Sequence, residues 1–151
     1  NDRLSPAALL SALRSAGEPR LQGASVRWQC DVQGVEVLCN RDTLVGALLN
    51  LIENALQASV GAPRLKVHLY RRDETVRVCI SDCGKGIDAE TLGRVGEPFF
   101  TTRTTGTGLG LAVAKAVARA HQGDLQLRSR PGRGTCALMS LPLIPATHKP
   151  E

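Results

Sequence analysis

Apolar residues recur at steps of three and four in three stretches of this chain, a spacing that predicts one-sided helices. The longest stretch covers residues 44–59, and Asn40-Arg41-Asp42 just before it is a favourable helix start. A second helix is predicted over residues 109–121, ending at Gly123, and a shorter one around residues 9–13. The residues of the second helix predicted to face inward are Leu109, Val113, Ala116, Val117 and Ala120.

Other stretches alternate between apolar and polar residues, as strands with one buried face do. They predict strands at residues 26–32, 35–39, 65–69, 76–80, 125–129 and 135–141. The first two are joined around Gln33-Gly34, and Arg72-Asp73-Glu74 is the turn of a hairpin whose second strand runs into Asp82. The expected fold class is therefore an α/β two-layer sandwich, in which about three helices cover one face of a mixed, mainly antiparallel sheet.

Two segments do not follow either pattern. Residues 89–95 fit one or two helical turns, and residues 96–107 are polar, rich in Gly and Thr, and predicted to form a mobile loop. We expect residues 1–145 to make one domain and residues 146–151 to be a flexible tail.

The composition narrows the classes of function. With one Trp, one Tyr and two Phe, the chain has little aromatic surface for stacking on bases, and its net charge of +5 is scattered along the sequence. No nucleic-acid partner is therefore expected. No apolar run approaches the roughly 20 residues of a membrane span, and no signal peptide is evident. We expect a soluble, cytoplasmic chain without direct membrane contact.

The cysteines form no C-x-x-C pair and no pattern with histidine that suits a metal. They are Cys30, Cys39, Cys79, Cys83 and Cys136. For a cytoplasmic chain this predicts reduced, mostly buried thiols.

Two glycine-rich motifs are the main chemical signals. Gly106-Thr107-Gly108-Leu109-Gly110-Leu111 opens directly into a helix, where bare backbone N–H groups and the positive end of the helix dipole suit a phosphate chain. The second motif, Asp82-Cys83-Gly84-Lys85-Gly86, follows a strand. Neither has the spacing of a P-loop or of a dinucleotide-binding fingerprint, so the chain is predicted to bind a nucleotide in another way.

The order of the motifs is more specific than any one of them. An Asn-x-x-x-Asn helix, an Asp-x-Gly-x-Gly turn, Pro98-Phe99-Phe100, the Gly-Thr-Gly-Leu-Gly-Leu motif and Gly132-Arg133-Gly134-Thr135 follow one another. In this combination the chain resembles the ATP-binding catalytic domain of sensor histidine kinases, within the group that also holds gyrase-type and MutL-type ATPases. The resemblance covers residues 9–143, and the Pro98-Phe99-Phe100 region is most similar to kinases of nitrogen and flagellar regulation.

The residues of these motifs suit a complex with ATP and Mg²⁺. Asn50 and Asn54 share a helix face, and an amide oxygen can fill one octahedral Mg²⁺ position. By resemblance, Asn54 binds the metal and Asn50 is a catalytic residue beside the phosphates. The Asp82 carboxylate can accept a hydrogen bond from the adenine amino group. The resemblance also implies a catalytic, phosphate-binding role for Arg103 in the loop.

The remaining nucleotide-binding positions are implied by the same resemblance. They are Gly84, Gly86, Ile87, Gly106, Thr107, Gly108, Leu109, Gly110, Leu111 and Thr135. Two positions depart from the family pattern. Gln57 replaces a frequent basic residue, and Ala137 replaces an aromatic residue expected at the back of the adenine pocket.

Asn50 also bears on the reaction, because gyrase-like ATPases have a Glu at this place that activates water. An amide cannot take a proton, so slow hydrolysis is expected, and Glu53 points about 100° away on the helix. His68, His121 and His148 lack the sequence context of an acceptor histidine, and His121 is interpreted as a cation at a helix C-terminus.

The resemblance therefore implies a kinase domain that acts on a partner domain. The acceptor histidine is expected in a dimerisation domain upstream of Asn1, in a homodimeric parent protein that signals to a response regulator. The isolated domain is expected to be monomeric. Two alternatives remain: a nucleotide-binding regulatory module without phosphotransfer, and a slow hydrolytic ATPase.

Overall fold

A computed structural model of the protein describes residues 2–58, 62–82, 109–130 and 134–145. This part contains three α-helices, one short 3-10 turn at Glu18–Arg20, and eight strands in two sheets. The helices are α1 (Pro6–Gly17), α2 (Arg41–Ala58) and α3 (Leu109–Ala120). The strands are β1 (Asp2–Leu4), β2 (Ser25–Cys30), β3 (Val35–Cys39), β4 (Arg64–Arg72), β5 (Thr75–Asp82), β6 (Asp124–Arg130), β7 (Gly134–Pro142) and β8 (Ile144–Pro145).

The larger sheet has the strand order β2-β4-β5-β7-β6. Strand β2 runs parallel to β4, and the other neighbours are antiparallel, so the predicted mixed, mainly antiparallel sheet is confirmed. In the middle of this sheet, Ile80 of β5 pairs with Val67 on one side and Ala137 on the other. All three side chains are buried. This face of the sheet is therefore the one that the helices cover.

The second sheet was not predicted. Strand β3 pairs with β1 and β8 in a small three-stranded sheet, while β2 joins the larger sheet. The two strand runs joined around Gln33-Gly34 thus belong to different sheets. The physical reason is that β2 finds its partner in β4, about forty residues further along the chain, a contact that local alternation cannot predict.

Helix α2 is the centre of the helical layer. Its side chains at Leu44, Leu48, Leu51 and Ile52 are at most 1% exposed and share one hydrophobic cluster with the buried face of the sheet. The helix begins as predicted, because the Asn40 side-chain oxygen accepts a hydrogen bond from the Thr43 backbone N–H (3.1 Å). The helix therefore has a fixed start and a fixed inner face.

The predicted inner face of α3 is wrong at three positions, although Val117 packs on the hydrophobic core as predicted. Val113 is 49% exposed, and Ala116 and Ala120 are exposed too, whereas Ala114 and Ala118 are fully buried. Nearly every residue of α3 is apolar, so spacing alone cannot select its buried side. In the structure, Ala114 and Ala118 lie four residues apart on one side, which also carries Gly110 and allows close approach to α2.

The prediction that all cysteines are reduced is also wrong. Cys79 of β5 and Cys136 of β7 are joined by a disulfide, with 6.4 Å between their Cα atoms. Cys136 lies opposite Ser81, so the two cysteines are diagonal neighbours on adjacent strands. Their separation of 57 residues hides this proximity in the sequence. Cys30 and Cys39 are free, and Cys83 lies outside the described residues.

Candidate nucleotide-binding site

Asp82 is the last residue of β5 and the only charged residue that is buried in the part of the chain that the structure describes. Its side chain is 8% exposed and follows Val78 and Ile80 on the helix-covered face of the sheet. The Thr135 backbone N–H donates a hydrogen bond to Asp82 Oδ1 (3.4 Å). A buried carboxylate needs such donors, and the pairing of β5 with β7 supplies this one.

Asn50 and Asn54 lie one helical turn apart on α2, and both are half-buried. Helix α2 packs on β4, β5 and β7, the strands around Asp82. The amide nitrogen of Asn54 is buried. The two asparagines are thus held on a helix whose inner face is fixed in the core, which limits the freedom of their side chains.

The first turn of α3 lies against Asn50. A Cβ atom placed on Gly110 would be 3.8 Å from Cβ and Cγ of Asn50 and 4.0 Å from its Oδ1. The free N–H groups of a helix N-terminus attract anions, because the dipole places partial positive charge there. The contact therefore brings a polar amide beside the end of α3 that suits a phosphate.

Residues 39–145 match the family of histidine kinase-, DNA gyrase B- and HSP90-like ATPases. The chain belongs to this ATPase family. The match covers more than two thirds of the chain and includes both asparagines, Asp82 and the start of α3. The resemblance found from the motifs is confirmed.

Two proteins with sequences similar to this chain are sensor kinases. Over 145 residues the chain is 67% identical to the sensor protein kinase FleS of Pseudomonas aeruginosa, covering 96% of this chain and 36% of FleS. It is 37% identical over 107 residues to the histidine-protein kinase AtoS of Escherichia coli, covering 70% of this chain and 18% of AtoS. The chain thus spans about a third of one relative and a fifth of the other.

A solved structure shows the same fold. The mycobacterial sensor histidine kinase MprB superimposes with a TM-score of 0.83 at 26% identity, over 96% of this chain and 99% of that chain. The expected two-layer fold of the histidine kinase ATPase domains is therefore confirmed.

The described residues bring the predicted site together as two pairs, Asp82 with Thr135 and Asn50 with Gly110. Leu111 is half-buried and packs on the hydrophobic core. Ala137 is 7% exposed and pairs with Ile80. Several predicted positions, including the loop and its Phe residues, lie outside the described residues: Gly84, Gly86, Ile87, Phe99, Phe100, Arg103, Gly106, Thr107 and Gly108. Leu109 starts α3.

The donor set of the described site fits a Mg²⁺ ion held mainly by a ligand's phosphates. Within the described ranges, no group of three His, Cys, Asp or Glu residues is placed to hold a metal ion. Magnesium keeps several waters and is commonly bound through one or two protein oxygens plus substrate phosphates. A single amide oxygen at Asn54, on the same helix as Asn50, matches that pattern.

Glu53 has a partner that sequence analysis missed. Its Oε1 lies 2.7 Å from Nε of Arg20, in the 3-10 turn after α1. Both side chains are about half exposed, so this ion pair adds little to stability. It does hold the carboxylate toward α1. Nothing in the local sequence signals this pair, because its members are far apart along the chain.

His121 lies at the end of α3 as expected, but its contacts do not fit the expected cation. Its Nδ1 lies 2.8 Å from the Val117 carbonyl oxygen, and its Nε2 lies 3.1 Å from the Asn40 backbone nitrogen. A carbonyl only accepts and an N–H only donates, so Nδ1 carries the proton and Nε2 is the acceptor. The two contacts therefore fit the Nδ1–H tautomer of the imidazole. It joins the end of α3 to the residue that caps α2.

Among the described residues, no helix is both long enough and apolar enough to span a membrane.

Proposed function

We propose that this chain binds Mg-ATP and donates the terminal phosphate to a histidine on a separate dimerisation domain. The observation that carries the proposal is the contact of Asn50 with Gly110 at the N-terminus of α3. This contact supports the proposal because a helix N-terminus, which suits an anion, lies beside a helix that also carries Asn54 and packs on the strand ending in Asp82.

Each residue of the candidate site that the structure describes has a role in this proposal. Asp82, at the edge of the core, accepts a hydrogen bond from the adenine amino group, and Thr135 holds the carboxylate in place. The backbone N–H groups at the start of α3 bind phosphate oxygens. Asn50 orients the phosphates, and Asn54 supplies the protein oxygen for Mg²⁺. When bound, the metal neutralises phosphate charge during transfer.

The residues around Asn50 support transfer over hydrolysis. An amide at this position cannot remove a proton from water. The nearest candidate base on α2, Glu53, is engaged by Arg20 at 2.7 Å. Next to Asn50 on α2, attack by water thus has only the amide and a carboxylate that is paired with Arg20, while Asp82 is assigned to the adenine, which favours a stronger nucleophile.

The histidines that the structure describes also support an acceptor elsewhere. His68 bonds Asp31 (2.7 Å) on the opposite face of the sheet, and both ring nitrogens of His121 are hydrogen-bonded. His148 lies outside the described residues. We therefore assign the acceptor to the dimerisation domain of the parent protein, with a response regulator as the next recipient of the phosphate.

Binding is tested by calorimetric titration of Mg-ATP into three variants. Asp82→Ala and Asn54→Ala should each weaken binding by at least about tenfold, because the first removes a hydrogen bond to a charged group, roughly 1.5–3 kcal/mol, and the second removes a Mg²⁺ ligand. Gln57→Ala is the matched control, because Gln57 is exposed on the same helix. Melting curves confirm that each variant is folded. Equal affinities for all three would remove the site assignment.

Transfer is tested by adding a separately made acceptor domain and following label from the terminal phosphate. Phosphohistidine on the acceptor is the expected product. Tight Mg-ATP binding without phosphohistidine would favour a regulatory module. Rapid phosphate release without acceptor would favour a hydrolytic ATPase.

A further inference from the structure

Helices α2 and α3 touch at two points that lie at opposite ends of their contact. One is the hydrogen bond from the Asn40 N–H to Nε2 of His121, between residues 81 positions apart. The other is the approach of Gly110 to Asn50. The start of α2 is thus beside the end of α3, and the middle of α2 is beside the start of α3. The two helices therefore run antiparallel.

The distance between the two contact points is almost the same along α2 as along α3. Asn50 follows Asn40 by ten residues, which is about 15 Å of helix, and His121 follows Gly110 by eleven, which is about 16.5 Å. A shift of α3 along α2 at one end is therefore transmitted almost unchanged to the other.

We propose that His121 is a positioning residue, which fixes how far α3 slides along α2 and so places the phosphate-binding end of α3 beside Asn50. The expected effect on nucleotide binding rests on the proposed function, whereas the hydrogen bond between Asn40 and His121 does not depend on it.

The residues between the two points leave room for a hydrogen bond to refine the register. The fully buried residues of α3 are Ala114 and Ala118, with the half-buried Gly110 on the same side, and Leu111 and Val117 pack on the core beside them. The small residues permit close approach of the two helices. A directional bond at the end of α3 adds to the register that this packing sets.

The bond is suited to positioning more than to stability. Asn40 is exposed, so water can satisfy its N–H when the imidazole is removed. The effect of removing the imidazole should therefore appear mainly at the other end of α3, where Gly110 lies beside Asn50. A misplacement of about 1 Å at a reacting centre can slow a reaction by roughly a hundredfold.

The first experiment needs no nucleotide. In nuclear magnetic resonance spectra of the full chain, the nitrogen shifts of His121 should report a protonated Nδ1 and an unprotonated Nε2. His121→Phe should shift the Gly110 backbone amide and the Asn50 side-chain amide, about 15 Å away along α2. The matched control His68→Phe, on the opposite face of the sheet, should leave both unchanged. A protonated Nε2, or unmoved Gly110 and Asn50 signals, overturns the proposal.

The second experiment measures function and stability together. His121→Phe should weaken Mg-ATP binding or slow phosphotransfer by at least about tenfold while lowering the melting temperature by no more than about 5 °C. His121→Gln keeps an acceptor near the position of Nε2 and should recover most of the loss. If the affinity for Mg-ATP and the melting temperature of His121→Phe fall in proportion, and His121→Gln restores neither, the role of His121 is merely structural.

The two experiments separate the two proposals. If wild-type chain binds no Mg-ATP, the proposed function fails, and the resonance shifts still decide whether His121 positions α3. If Mg-ATP binds but the shifts do not move, the positioning role alone fails.

Discussion

Replacing Gly110 by alanine separates a structural from a functional reason for a glycine at the start of α3. The added Cβ would be 3.8 Å from Cβ and Cγ of Asn50 and 4.0 Å from its Oδ1, which is ordinary van der Waals contact. No atom has to move, and alanine favours a helix over glycine by up to about 1 kcal/mol. The free energy of unfolding of Gly110→Ala should therefore be unchanged or raised by up to that amount.

Nucleotide binding should respond in the opposite direction. The new methyl group lies beside the Asn50 amide and the first N–H groups of α3, where we place the phosphates. Displacing the phosphate from one of those donors removes a hydrogen bond to a charged group, about 1.5–3 kcal/mol. At 1.4 kcal/mol for each factor of ten, the dissociation constant of Mg-ATP should rise roughly 10- to 150-fold.

Gly46→Ala is the matched control. Gly46 lies inside α2, is exposed, and has no atom within 4 Å of the position its Cβ would take. This variant should gain up to about 1 kcal/mol, or roughly 2–4 °C in melting temperature, and bind Mg-ATP as the wild type does. Urea denaturation and calorimetric titration measure the two quantities. If Gly110→Ala binds as tightly as Gly46→Ala, the N-terminus of α3 is not the phosphate site.

Three further predictions concern stability and thiol chemistry. In Gly123→Ala the new Cβ would lie 1.9 Å from the Ser140 carbonyl oxygen, so the backbone must move. Urea denaturation should show that the free energy of unfolding falls by about 3 kcal/mol, and an unchanged midpoint refutes this. Reducing the Cys79–Cys136 disulfide, which joins residues 57 apart, should lower stability by up to about 4 kcal/mol, and a wild-type midpoint insensitive to reductant would contradict it. Burial raises the pKa of the Cys39 thiol, so mass spectrometry should find it unalkylated by iodoacetamide until the chain unfolds.

The elements with a clear polar side were predictable from the sequence. Helix α2 has buried leucines on one face and polar residues on the other, so its periodicity gave both its extent and its inner face. Strand β3 was predicted with the bounds that it has in the structure. Asn40 marked the start of α2, because its side chain caps the helix whatever the rest of the fold does.

The remaining features depend on contacts between distant parts of the chain. The apolar sequence of α3 leaves its rotation open, and contact with α2 selects the side with Gly110 and Ala114. The acceptor role of His121 Nε2 follows from a hydrogen bond to Asn40, 81 residues away, whereas the local sequence indicates only a histidine at a helix end. Neither outcome has a local signal.

Helix α2 links these distant contacts to the candidate site. Asn40 at its start donates a hydrogen bond to His121, and its middle lies beside Gly110. Its inner face packs on β5, the strand that ends in Asp82. Under the proposed function, a phosphate at the N-terminus of α3 would bind a helix that is already joined to the start of α2 by the His121 bond. We therefore expect little of the free energy of phosphate binding to be spent on ordering these two helices.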